Sequence, residues 1–284
     1  MRQNLRILIL AFLLVVLAST RVQAAPGGTS VKNFGRAEVK FRFVAETPLE
    51  SVLAAALIQE SLGRARAYVL FDTARGSMLS DGVQLRVRFD LSKNKADSTV
   101  KKRGMDSDEL AVEWRSHDGV KCELNVLPLK EISACSLTQS WDVSDSHRKW
   151  VSVLSAQSET ELGSRAGSFL TAYFNTLQDR FLEDVAHRSI RSETESLQMS
   201  CFSHVTQWEM DPSRLATEGE VIPEHPIVVE QWKFSNRRPT LEISWRVPAE
   251  ERDRAVSLLK RWFLRSHFHY EEDPLPSGGC EKSK

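Results

Sequence analysis

The sequence predicts an α+β fold: an antiparallel sheet with flanking helices. Three observations carry this. Short segments alternate apolar and polar residues with the period of a strand. The polar positions of those segments are charged rather than small, in one segment after another. Apolar residues recur at helical spacing in three stretches, at 47–63, 143–187 and 249–267.

Residues 36–45 alternate Val39, Phe41 and Phe43 with Glu38, Lys40 and Arg42, which reads as a first strand. Thr47-Pro48 then opens a helix as N-cap and first-turn proline. Its apolar face is Val52, Leu53, Ala56, Leu57 and Leu62, and Gly63 ends it. Strands follow at 67–72 and 83–90, the second alternating Leu85, Val87 and Phe89 with Gln84, Arg86 and Arg88. Residues 98–104 place Thr99, Lys101 and Arg103 on one side of a further strand. Segments 110–115 and 120–126 flank His117-Asp118-Gly119, a good turn sequence. Residues 131–141 continue the sheet beyond Leu127-Pro128-Leu129-Lys130. Two helices are expected in 143–187, then strands at 197–210, 227–234 and 240–247, and a closing helix at 249–267.

The charged parity holds Lys40, Arg42, Arg86, Arg88, Lys101, Arg103, Lys121, Lys233 and Arg246, together with Glu38, Glu113, Glu123 and Glu242. Two arrangements fit. An open sheet would leave one solvated, charged face. A barrel would turn the charges inward and remove the exposed edges. Isolated buried charges are too costly in a dry interior, so the closed form needs water and a polyanion inside. The basic excess suits a chain of phosphates, and the carboxylates suit a divalent metal bridging phosphate oxygens.

Four segments resemble the CYTH, or triphosphate tunnel metalloenzyme, superfamily. RAEVKFRF (36–43) resembles its first strand, which carries Glu-x-Glu-x-Lys. LFDTARGSMLSDGVQLRVR (70–88) is similar to its Tyr-Tyr-Asp-Thr…Leu…Gly…Leu-Arg-Leu-Arg segment, the most specific match. STVKKRG (98–104) resembles the strand ending in Thr-x-Lys, and VVEQWKF and LEISWRV its late strand pair. The resemblance implies an antiparallel, eight-stranded, tunnel-like β-barrel with flanking helices, over residues 33–270. It implies a ligand that is a phosphate-containing polyanion, inorganic triphosphate or polyphosphate, held by Lys40, Arg86, Arg88 and Lys101, to which the charged parity adds Arg42 and Arg103. Glu38 and Glu242 are its implied acids, expected to be catalytic and to hold Mg²⁺ or Mn²⁺, and Glu123 of the same charged parity is expected as a further metal ligand. Metal-dependent hydrolysis of phosphoanhydrides and non-catalytic polyanion binding are both open. One alignment of the first strand puts Arg36 where an acid belongs; the other puts Lys40 there. The family's Gly-Pro and basic residues are missing around 201–210.

Residues 1–24 have the form of a cleavable secretory signal: Arg2 and Arg6, a short apolar run, then Val22-Gln23-Ala24. The expected location is therefore secreted or periplasmic, with no membrane span after cleavage and a loose tail at 271–284. Lys+Arg and Asp+Glu are both 38. Removing Arg2, Arg6 and Arg21 leaves 35 basic residues against the 38 acidic ones. That balance, without a basic stripe interleaved with aromatics, argues against a nucleic-acid partner, and none is expected. Such a compartment permits disulfides. Cys122 and Cys135 flank a hairpin that sets them opposite one another, which leaves Cys201 and Cys280. His267 and His269 lack a third ligand nearby and read as an exposed helix end. Asp106 and Asp108 read as solvated, and Trp114, Trp232 and Trp245 as core. No nucleophile elbow, zinc-protease, Walker or dinucleotide motif is present.

Overall fold

The computed structural model describes residues 34–73, 76, 82–90, 92–104, 119–145, 197–216, 220, 222–234 and 238–272. The signal-like segment, most of 74–81, the strand expected at 110–115 with Glu113 and Trp114, the helices expected within 146–187, and Cys280 lie outside them.

Nine strands form one closed barrel. They are β1 (Arg36–Arg42), β2 (Arg64–Thr73), β3 (Val83–Asp90), β4 (Lys95–Gly104), β5 (Lys121–Val126), β6 (Glu131–Asp142), β7 (Leu197–Met210), β8 (Ile227–Phe234) and β9 (Thr240–Pro248). Their order around the wall is β1-β5-β6-β4-β3-β2-β7-β8-β9, and β9 pairs back onto β1. The closed arrangement is thus the one adopted. Two expectations need correction. The barrel has nine described strands rather than eight, and it is mixed, because β1 and β5 run parallel with Ala37 opposite Leu124. The alternation that marks a strand carries no information on whether its neighbour runs parallel or antiparallel.

Two helices are described, α1 (Leu49–Ala55) and α2 (Arg252–Arg265). α1 is shorter than expected. Pro48 rather than Thr47 is its N-cap, without a side-chain cap. The chain turns at Leu57, whose φ is 54°. Leu57 and Leu62, expected on the buried face, are exposed instead. α2 begins after a 3-10 turn at Ala249–Glu251. It buries Ala255, Leu258, Leu259, Trp262 and Phe263, the spacing of a single helical stripe.

That stripe explains why one parity of β1 faces away from the barrel interior. Phe41 and Phe43 set their rings 5.5 and 4.7 Å from Phe263, and Phe41 meets Tyr270 edge-on at 4.8 Å. Each such ring contributes about 1.5–3 kcal/mol on burial. Val39, Ile243, Trp245 and Val247 share this outer parity and are fully buried. The Trp245 indole N–H donates to the His225 carbonyl at 2.8 Å. A one-residue slip of β1 would move this greasy row inside and the charged row out, so the packing fixes the register.

Further round the wall, β2 and β7 pair over ten residues of β2, with a register shift between Leu70 and Phe71 that leaves one extra residue on β7. β5 and β6 are joined by the Cys122–Cys135 disulfide, whose half-cystines stand directly opposite in register. Cys201 on β7 is also disulfide-bonded, to a partner outside the described residues.

Candidate functional site: a charged tunnel

The barrel encloses a cavity of about 1330 Å³. Strand parity brings all of the predicted site residues to its wall: Glu38, Lys40 and Arg42 from β1, Arg86 and Arg88 from β3, Lys101 and Arg103 from β4, Glu123 from β5 and Glu242 from β9. Among the described residues, twelve Lys and Arg side chains line it against six Asp and Glu. Lys233, assigned to the same set from sequence, is exposed and lies off the lining. The inward row of β8 is Val228, Glu230 and Trp232. Trp232 is buried in a core cluster with Tyr68, at 4.9 Å, and Val205, and also faces the tunnel.

An alternating chain of charges runs across four strands. Lys40 Nζ lies 3.2 Å from Glu242 Oε1 and 3.4 Å from Glu38 Oε2. The other oxygen of Glu38, Oε1, lies 3.1 Å from Arg246 Nη2. Arg246 Nε reaches Glu123 Oε2 at 3.9 Å, and Glu123 Oε1 accepts from Lys101 Nζ at 2.8 Å. Lys101 also donates to Asn125 Oδ1 at 3.5 Å. Burial opposes the charge of Glu38, but Lys40, Arg246 and Lys101 outweigh it and hold the carboxyl well below the usual range. Lys40 is likewise penalised by burial, yet Glu242, Glu38 and Glu230 raise its pKa above that of an ordinary lysine. Lys101 is pushed down, chiefly by burial, although Glu123 works the other way.

The remaining cations differ in how far they are matched. Arg88 is forked onto Asp97 across the β3–β4 ladder, with Nε–Oδ2 2.8 Å and Nη2–Oδ1 3.0 Å. Arg42 reaches Glu271 at 3.5 Å, and Arg66 reaches Asp90 at 3.6 Å. Among the described residues, the side chain of Arg103 has only the amide oxygen of Gln84 as an acceptor, at 3.1 Å. Burial and the neighbouring Arg86 push its pKa down to about 10, so it stays charged near neutrality at a free-energy cost. Arg86 has a buried Nε with no acceptor, and no carboxylate pairs with it among the described residues. Among the described residues, Arg86 and Arg103 are therefore neighbouring tunnel guanidiniums that no carboxylate pairs with.

No family model matches this chain, and no curated protein does. Several solved structures are similar. One is a candidate adenylyl cyclase from Hippeastrum with a dominant triphosphatase activity, 12% identical over 84% of this chain and 91% of that one, TM-score 0.49. A second is a candidate adenylate cyclase from Bacillus halodurans, 11% identical over 87% and 97%, TM-score 0.44. A third, from Vibrio parahaemolyticus, is also a candidate adenylate cyclase, 12% identical over 85% and 95%, TM-score 0.37. At that identity the likeness concerns the barrel and not the chemistry.

The acids do not fit the expected Mg²⁺ or Mn²⁺. A divalent ion needs carboxylate oxygens at about 2.0–2.6 Å. Both oxygens of Glu38 and both of Glu123 already face side-chain cations, and the Lys40 ammonium stands between Glu38 and Glu242. Among the described residues, no group of three His, Cys, Asp or Glu is placed to hold a metal ion.

Among the charged wall residues that sequence reasoning missed are Arg64, Arg66 and Glu230. Arg64 and Arg66 alternate with Ala65 and Ala67, a signal that extending β2 by one turn of the pleat would have caught. Glu230 was missed because Ile-Val-Val-Glu-Gln-Trp-Lys-Phe has no clean alternation; only its pairing opposite Glu242 fixes which way it faces. Gln207 Nε2 donates to one Glu230 oxygen, and the Trp232 indole N–H donates to the other at 3.1 Å. Burial and Glu242 nevertheless raise its pKa.

Proposed function

We propose that the tunnel binds a linear, phosphate-rich polyanion such as inorganic triphosphate or polyphosphate. The single observation that carries this is the Arg86–Arg103 pair, two guanidiniums inside one cavity with no carboxylate to neutralise them among the described residues. A bound anion would supply the missing acceptor for Arg86 Nε and offset the repulsion between the two. Arg64 and Lys121 extend the positive wall, so the fitting ligand is elongated and multiply charged. The setting we propose is outside the cytoplasm, supported by the Cys122–Cys135 disulfide and the leader-like first 24 residues.

Calorimetric titration with tripolyphosphate tests this reading. Losing a charge-assisted hydrogen bond is worth about 1.5–3 kcal/mol, so Arg86→Ala and Arg103→Ala should each weaken binding roughly ten- to a hundredfold. Unchanged affinity in both variants would remove the tunnel as the site.

A hydrolytic reading is favoured by Glu230, the buried wall carboxyl with raised proton affinity. In that case water attacks a terminal phosphorus, the anhydride P–O bond breaks, and the water proton passes to Glu230. Phosphate release from tripolyphosphate that survives Glu230→Gln would exclude this role.

A further inference from the structure

We infer that Lys40 is a built-in replacement for a divalent metal: the tunnel holds its anion with side-chain cations alone and accepts Mn²⁺ only when Lys40 is removed. This rests on the polyanion reading above. Glu38 on β1 and Glu242 on β9 point into the cavity from paired strands, with Ser244 opposite Lys40 in the ladder. One or two carboxylates together with phosphate oxygens are how Mg²⁺ is usually held. Here the space between Glu38 and Glu242 holds an ammonium, at 3.4 Å from one and 3.2 Å from the other.

An ion bridging these oxygens would need the position the ammonium occupies. It would also have to displace Arg246 from Glu38. The alternating chain is already neutral: Glu242, Glu38 and Glu123 against Lys40, Arg246 and Lys101. Adding a doubly charged ion to it would break existing pairs and create repulsion with the cations that remain. Lys40 instead carries a fixed charge on a strand whose outer face is pinned beneath α2. Its charge is present before the ligand arrives and needs no dissolved metal.

Two measurements on the wild-type protein and one on a variant test this. Mn²⁺ titrated into the wild type and followed by electron paramagnetic resonance should show no bound ion without polyphosphate. Tripolyphosphate should bind by calorimetry at least as tightly in EDTA as in Mg²⁺. Lys40→Gln should gain one Mn²⁺ site, and the double variant Lys40→Gln/Glu242→Gln should lose it again. Stoichiometric Mn²⁺ on the wild type, abolished by Glu242→Gln, would overturn the inference. So would tripolyphosphate binding that requires Mg²⁺, or a folded Lys40→Gln that gains no site. If tripolyphosphate binds in neither buffer, the polyanion reading fails, while the Mn²⁺ titrations still decide the role of Lys40. If Lys40→Gln does not fold, the two wild-type measurements decide.

Discussion

Replacing Lys40 with methionine should destabilise the barrel strongly near neutral pH and much less in acid. Lys40 bridges two buried carboxylates; the side chains of Glu38 and Glu242 are 7% and 5% exposed. At an effective dielectric of about 20, each contact carries roughly 5 kcal/mol of Coulomb attraction. The desolvation of Lys40 itself cancels a large part of this. Removing one partner from a buried ion pair costs about 3–5 kcal/mol, because the other is left charged in the interior. For a domain of this size that is a fall of about 10 °C in Tm. The pH dependence has a definite sign. Glu38 is held below the usual carboxylate range in the wild type, so its contribution is present above the unfolded pKa and lost as pH falls through its folded value. Without Lys40, Glu38 loses the largest influence holding its carboxyl down and takes up its proton at higher pH than in the wild type. The difference between the two proteins should therefore be full at pH 7.5 and shrink below about pH 5. Urea denaturation at both pH values gives the comparison. Lys95→Met is the control, since Lys95 and Asp142 form an exposed pair, worth about 1 kcal/mol or less. A Lys40→Met loss no larger than that control, or one independent of pH, would refute the reasoning.

Further outcomes follow from other parts of the wall. Gly82 has φ +75°, and a Cβ there would lie 2.6 Å from the Arg103 carbonyl oxygen. Gly82→Ala should cost about 1–3 kcal/mol and weaken tripolyphosphate binding through Arg103, whose N–H donates to the Gly82 carbonyl at 2.8 Å; thermal melts and calorimetry on the same sample check both. Joint replacement of Cys122 and Cys135 by alanine should cost about 2–3 kcal/mol, measured by urea denaturation without reductant. Phe263→Ala removes the ring that packs on both Phe41 and Phe43, and should cost about 3–5 kcal/mol by the same assay.

The charged wall was legible in the sequence because strand parity is a local property. Lys40 alternates with Val39 and Phe41, and Arg86 with Leu85 and Val87, whatever the strands pair with. The partition of those charges was not legible. Arg88 and Arg86 look alike in sequence, yet one is forked onto Asp97 and the other has no carboxylate partner among the described residues, because Asp97 is registered opposite Arg88 in the β3–β4 ladder. Glu38 and Glu242 suggested a metal because their common neighbour Lys40 was assigned to the ligand rather than to them. The β1–β5 parallel seam and the early end of α1 depend on closure and on the turn at Leu57, neither of which leaves a periodic trace.

The pairing of β1 with β9 also sets the order of events in folding. The seam joins residues 36–42 to residues 242–248, so it is among the most distant contacts the domain can make. As the chain emerges from its N-terminal end, β1 must wait for nearly all the rest before its outer neighbour exists. Until then both it and the growing sheet present unpaired edges, and the Phe41 and Phe43 face has no α2 to cover it. High contact order of this kind makes for slow acquisition of the native state. Nascent chains that end before β9 should therefore be the species most dependent on chaperones and most prone to aggregate.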